Sequence, residues 1–187
     1  MIYFLIFFGF IMRIANHFHD HQLLAPIFAH FPNIPNFAPI GALALFSGVY
    51  LKKRYALLIP LAAMIISDYF IGFYNPYVMA SVYLSFLIIG LIGSWLKNHK
   101  SVLNIISGSL LGSLTFFVLT NFTVWAAPNS YYPQTLNGLI DCYVLALPFF
   151  KNTISGDLFY VATLFGTKEL SDYIVHKFYA RKRQTTE

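Results

Sequence analysis

Charge is scarce in this chain. Only 10% of its 187 residues are Asp, Glu, Lys or Arg, and seven of those are acidic. So little charge excludes an ordinary solvated surface and a disordered, self-repelling chain. Cysteine is nearly absent: the single Cys142 rules out an internal disulfide and any cysteine-rich metal site. There is no Gly-rich phosphate loop, no His-Glu-x-x-His helix and no Gly-x-Ser-x-Gly elbow, so an enzyme is not the first expectation. What the chain does have is apolar length, with 58% hydrophobic residues and a mean hydropathy of +0.64.

The few cations are grouped. Lys52-Lys53-Arg54, Lys97 with Lys100, and Lys177 with Arg181-Lys182-Arg183 hold nine of the twelve Lys and Arg residues. Long charge-free runs punctuated in this way are helices crossing a bilayer, and the basic clusters mark the cytoplasmic side. The net charge of +5 then belongs to the cytoplasmic face and its anionic headgroups, and no nucleic-acid partner is expected. Aromatics at 19% are too many for a simple interfacial belt.

The length has room for about six spans of ~20 residues in a single integral membrane domain, residues 1–187, with no separate soluble part. Met1–Met12 has the outline of a signal peptide but lacks a basic start and a small-x-small cleavage pattern. It reads as a retained first helix, about Ile2 to Ile14. Pro26, Pro32, Pro35 and Pro39 make Asn16–Pro39 mostly loop. Further helices are expected at about Pro39–Leu51, Tyr55–Phe73, Tyr77–Leu96 and Ser101–Ala127, with a tight turn at Asn75-Pro76. Leu136–Phe150 is apolar but short and is interrupted by Lys151-Asn152. Two full crossings there would carry the terminal basic cluster outside. The expectation is therefore a short re-entrant or surface helix at Leu136–Phe150, then a last span from about Thr153. The fold class is an all-α polytopic bundle of six transmembrane helices plus that short helix, multipass in a bacterial inner membrane with both termini cytoplasmic.

A charged residue at bilayer depth costs roughly 2.5–3.5 kcal/mol on insertion scales, so each needs a reason. Asp68 falls ~20 Å along its helix from the cytoplasmic end. Arg13 is about as far along the first helix and is a candidate partner; the alternatives are a structural ion pair or helix-end residues reaching the interface. Asn121 and Trp125 lie at the same outer level, Asn36 leads into the second helix, and Asp141 lies on the outside segment. Apolar walls with a few convergent polar groups describe a small-molecule pocket. Asn36, Asp68, Asn121, Trp125 and Asp141 are the ligand-binding candidates, with no catalytic residue, cofactor or metal expected. His17-Phe18-His19-Asp20-His21 reads as a solvated loop, and Cys142 as a buried small hydrophobe rather than a nucleophile. Gly41, Ala44 and Gly48 share one helix face at a spacing that permits close helix contact, either inside the bundle or with a membrane partner. Gly108 and Gly112 repeat the device.

Four segments resemble a family of small, uncharacterised bacterial membrane proteins. They are Asn36-Phe37-Ala38-Pro39-Ile40-Gly41-Ala42-Leu43-Ala44-Leu45-Phe46, Ser67-Asp68-Tyr69-Phe70-Ile71-Gly72-Phe73, Thr120-Asn121-Phe122-Thr123-Val124-Trp125, and Gly138-Leu139-Ile140-Asp141-Cys142-Tyr143 continuing to Leu147-Pro148-Phe149-Phe150. The chain is also similar to the substrate-binding S components of energy-coupling-factor vitamin transporters. That resemblance implies a six-helix subunit that captures a vitamin or precursor near the outer face. It also implies docking to a shared membrane partner through small residues, here Gly41, Ala44 and Gly48. The expected function is uptake of a small solute from outside. The alternatives are a non-transporting scaffold or assembly protein, and a membrane-embedded enzyme acting on lipid or quinone through Cys142 and Asp141.

Overall fold

The computed structural model describes residues 37–184, together with Phe4, Phe7 and Ile11, which are helical and exposed. Arg13, Asn36, the loop from Asn16 and the His17–His21 cluster lie outside the described residues, as does the rest of the expected first helix.

The described residues form five helices and no strand: α1 (Ile40–Tyr50), α2 (Lys53–Ile71), α3 (Pro76–Leu96), α4 (Val102–Ala126) and α5 (Leu136–Gln184). Local chemistry sets several ends. The Asn75 side chain accepts hydrogen bonds from the backbone N–H groups of Tyr77 (3.0 Å) and Val78 (3.4 Å), with Pro76 at the first helical position. Ser101 Oγ accepts from Asn104 N–H at 3.1 Å to start α4. Gly72, at φ +104°, closes α2 in a conformation that side-chain-bearing residues rarely adopt.

Three segments are long and apolar enough to cross a membrane: Arg54–Ile71 in α2, Pro76–Leu96 in α3 and Val102–Ala126 in α4. No more than 33% of each segment is buried inside the chain. Their outer faces instead carry exposed apolar residues, among them Leu58, Ile66, Leu84, Leu91, Leu103, Leu111 and Val118. Apolar surface on that scale is what a helix presents to lipid.

Two expectations are corrected. First, α1 is not a full span. Its 11 residues reach ~16 Å, about half of the ~30 Å hydrocarbon core. Ile40 to Val49 are all buried, so this short helix is the centre of the bundle, packed by α2, α3, α4 and α5. A helix apolar on every side belongs there. Second, Leu136–Phe150 is no separate re-entrant or surface helix. It is the first part of α5, which runs unbroken for 49 residues. Lys151-Asn152 interrupts hydropathy without breaking helix. Both residues tolerate helical backbone, and α5 also carries Pro148 just before them without ending. Thr153 Oγ1 and Ser155 Oγ donate back to the carbonyls of Phe149 (3.0 Å) and Lys151 (2.9 Å), keeping these polar groups within the helix.

The helix directions follow from the contacts. α5 runs antiparallel to α4: Tyr143 meets Val118, Asp157 meets Ser113, and Glu169 meets Lys100. It runs parallel to α1, with Gly41 beside Asp157 and Tyr50 beside Glu169. The α1–α2 and α3–α4 connections therefore share one end of the bundle, where Lys97 Nζ donates to the Leu51 carbonyl at 3.3 Å. Lys100 and Glu169 also meet at that end, and α5 continues beyond it. The Asn75-Pro76 turn and the 127–135 connection lie at the opposite end.

Candidate functional site

The half of the bundle away from the basic connections is not solidly packed. A cavity of about 300 Å³ lies where the N-terminus of α1 meets the other four helices. Its walls are mostly apolar: Ile40 of α1, Met64 of α2, Val82, Phe86 and Ile89 of α3, Phe116 of α4, and Tyr74 from the α2–α3 turn. Thr153 and Asp157 of α5 add the polar groups. A second space of about 210 Å³ adjoins it between α3, α4 and α5, and Val82, Phe116 and Thr153 line both.

Asp157 is the distinctive group. It is 5% exposed, accepts a 2.7 Å hydrogen bond from Ser113 Oγ at Oδ2, and accepts another from the backbone N–H of Ala42. The second bond explains the position. α1 begins after Pro39, with no side chain of its own segment capping it. Helix N-termini leave four N–H groups unsatisfied and favour negative charge. Asp157 caps α1 from a different helix. Gly41 makes that approach possible, since a Cβ there would lie 2.9 Å from Asp157 Cγ. On the α4 side, Ser113 Oγ also lies 3.1 Å from the Ser109 carbonyl, so its one proton is shared between that oxygen and the closer Asp157.

The residues singled out from sequence are dispersed. Asp68 is fully buried and accepts a 2.7 Å hydrogen bond from Tyr83 Oη, tying α2 to α3 one turn beyond the cavity residue Met64. Asn121 lines the smaller space, its Nδ2 donating to the Phe117 carbonyl at 2.8 Å. Trp125 belongs to the loop end: its Nε1 donates to the Pro133 carbonyl at 2.9 Å, and its own carbonyl accepts from Gln134 Nε2. Asp141 is exposed on α5. The neighbouring Cys142 is buried, with Sγ 3.4 Å from the Asn121 carbonyl. Only Asn121 of the described candidates lines either space, while Asp157, Ser113 and Thr153 form a polar corner that the sequence did not single out. The signal for Asp157 was the one that flagged Asp68, an acid in an apolar helix. In the sequence Lys151, Asn152 and Asp157 read only as further polar groups following the outside segment, with nothing to set Asp157 apart.

The small-residue face is occupied within the chain. Ala44 is fully buried, Gly41 faces Asp157, and a Cβ on Gly48 would lie 2.7 Å from Gly93. These residues seat α1 on α3 and α5 and leave none of that face at the surface. Among the described residues, no three His, Cys, Asp or Glu side chains gather in a metal-binding group.

The described residues form a helical bundle with three helices of membrane-crossing length and a cavity at one end. The chain belongs to a family of unknown function (DUF6580), which it matches over residues 1–180. No curated protein and no solved structure matches it.

Proposed function

We propose that this protein is a solute-capturing membrane subunit, similar to the S component of an uptake transporter, holding a small molecule in the cavity above α1. The observation that carries the reading is that cavity: about 300 Å³, apolar over most of its wall, with Asp157 and Thr153 at one corner. This is the pattern of a small-molecule site, and a bundle assembled only for support has no use for it. Asp157, Ser113 and Thr153 take the orienting role, and Asn121 serves a solute long enough to enter the adjoining space. In this reading the basic end faces the cytoplasm of a bacterial inner membrane. Six helical passes, α1 contributing a half-length one, leave both termini inside. The chain then acts by binding, without catalysis. A membrane partner would contact some surface other than Gly41, Ala44 and Gly48.

Protein purified in mild detergent and then denatured is expected to release a small molecule detectable by mass spectrometry. A vitamin and precursor panel is expected to include a compound that raises the melting temperature. Val82→Phe, which fills the wall shared by both spaces, is expected to abolish both effects while the chain still folds. No released compound and no thermal shift across the panel overturn the proposal.

A second reading, a scaffold or assembly protein, draws on the part of α5 beyond the basic end, where Leu170, Tyr173 and Ile174 are exposed. A chain ending at Asp172 separates the two. Loss of a crosslinked partner with solute binding intact favours the scaffold, and unchanged crosslinking removes it.

A further inference from the structure

We infer, resting on the solute-capture reading, that the molecule held in this cavity is a protonated amine with an apolar or aromatic body, its ammonium group seated on the Asp157 carboxylate. The donors that Asp157 has in the structure are neutral: the Ser113 hydroxyl and the Ala42 backbone N–H. Among the described residues, no Lys, Arg or His pairs with it. A carboxylate offers about four lone-pair positions, and these two donors leave about half of them available. A carboxylate taken out of water without a cation is expensive, and a cationic ligand supplies the missing charge.

The surrounding wall narrows the class further. Tyr74, Phe86 and Phe116 line the same cavity, and aromatic rings accept both an apolar body and the flank of a cation. An anionic solute would meet like charge at Asp157. The cavity also lies at the end of the bundle away from Lys52, Lys97 and Lys100, so a cation approaching it does not cross the basic cluster.

The test compares amines with their neutral alcohol counterparts by titration calorimetry on the full chain in detergent. Phenethylamine is paired with 2-phenylethanol, and tryptamine with tryptophol. At least one amine is expected to bind saturably and at least about tenfold more tightly than its alcohol, as a charge-assisted hydrogen bond predicts. Asp157→Asn keeps a carbonyl oxygen for the Ala42 N–H and is expected to erase that preference without unfolding the bundle. Should the variant fail to fold, the wild-type ratio decides alone. Alcohols binding as tightly as amines, or a preference unchanged in Asp157→Asn, overturn the ammonium assignment and leave cavity binding standing. Binding of neither class overturns this inference, and the absence of any released compound from the purified protein sinks the capture reading with it.

Discussion

Glycine and tyrosine carry much of the close contact in this bundle. Gly48 and Gly93 let the backbones of α1 and α3 meet, and a Cβ on Gly93 would lie 2.9 Å from Gly48 Cα and 3.1 Å from the Leu45 carbonyl carbon. Backbone cannot swing aside as a side-chain tip can. Gly93→Ala is therefore expected to destabilise the solubilised protein by about 1–3 kcal/mol, read as a lowered melting temperature. Gly166, on α5, is the internal comparison, with open space around its would-be Cβ. Gly166→Ala is expected to be neutral or to stabilise by up to about 1 kcal/mol, because only the entropy of the unfolded chain changes. Equal effects at the two positions would show that packing does not set them apart. Tyr83→Phe is a second test at this scale. It removes the 2.7 Å donor to fully buried Asp68 and is expected to lower stability by about 1–3 kcal/mol, since one acceptor position of a buried carboxylate is left short. An unchanged melting temperature would mean that this bond is dispensable.

Among the elements, α1 and α5 depart from the plain hairpin pattern, and they are joined at both ends. At one end Asp157 caps α1; at the other Tyr50 Oη donates to Glu169 Oε1 at 3.0 Å, and Lys100 pairs with the same carboxylate. Glu169 is level with the 97–101 connection, outside the apolar segments. Its pKa is held below the ordinary 4.5 by the Lys100 hydrogen bond first, and then by that from Tyr50. A depressed carboxylate stabilises the fold above its unfolded pKa, and that contribution is lost as the pH falls through the folded value. The group is exposed, so the contribution is at most about 1 kcal/mol. Glu169→Gln is expected to lower the melting temperature slightly at neutral pH and to match the wild type once the pH is below the depressed value. Melting curves from pH 7 downward check this, and a difference that widens on acidification would reverse the assignment.

For the whole molecule, the arrangement of ends is the strongest organising fact. The α1–α2 and α3–α4 connections, with Lys52, Lys97 and Lys100, gather at one end, and the cavity lies in the opposite half. The positive-inside tendency then gives an orientation that can be measured. In a Cys142→Ser background, Ser130→Cys is expected to react with an impermeant maleimide added to intact cells. Asn98→Cys is expected to react only after the cells are opened. The reverse labelling pattern would turn the cavity towards the cytoplasm and remove uptake from outside as its use.

The sequence by itself determined that this is a helical membrane protein, where most of its helices lie, and that the basic connections alternate with uncharged ones. Those properties are local: a run of apolar side chains partitions into lipid, and cations resist translocation, whatever the rest of the chain does. Asp68 was also legible as an acid needing a partner, and it has one in Tyr83. The faces of the helices were not legible. In a bilayer the lipid side and the core side are both apolar, so α1 reads like an ordinary span although it is the buried centre, and Gly41, Ala44 and Gly48 read equally well as inner or outer surface. Only the tertiary structure decided that Lys151-Asn152 leaves α5 continuous, and that Asp157, rather than Asp68 or Asp141, reaches the open space. The physical reason is that a helix end without a cap is satisfied by whatever group packing brings to it. Asp157 is 115 residues or more from the α1 backbone it caps, beyond the reach of any local pattern.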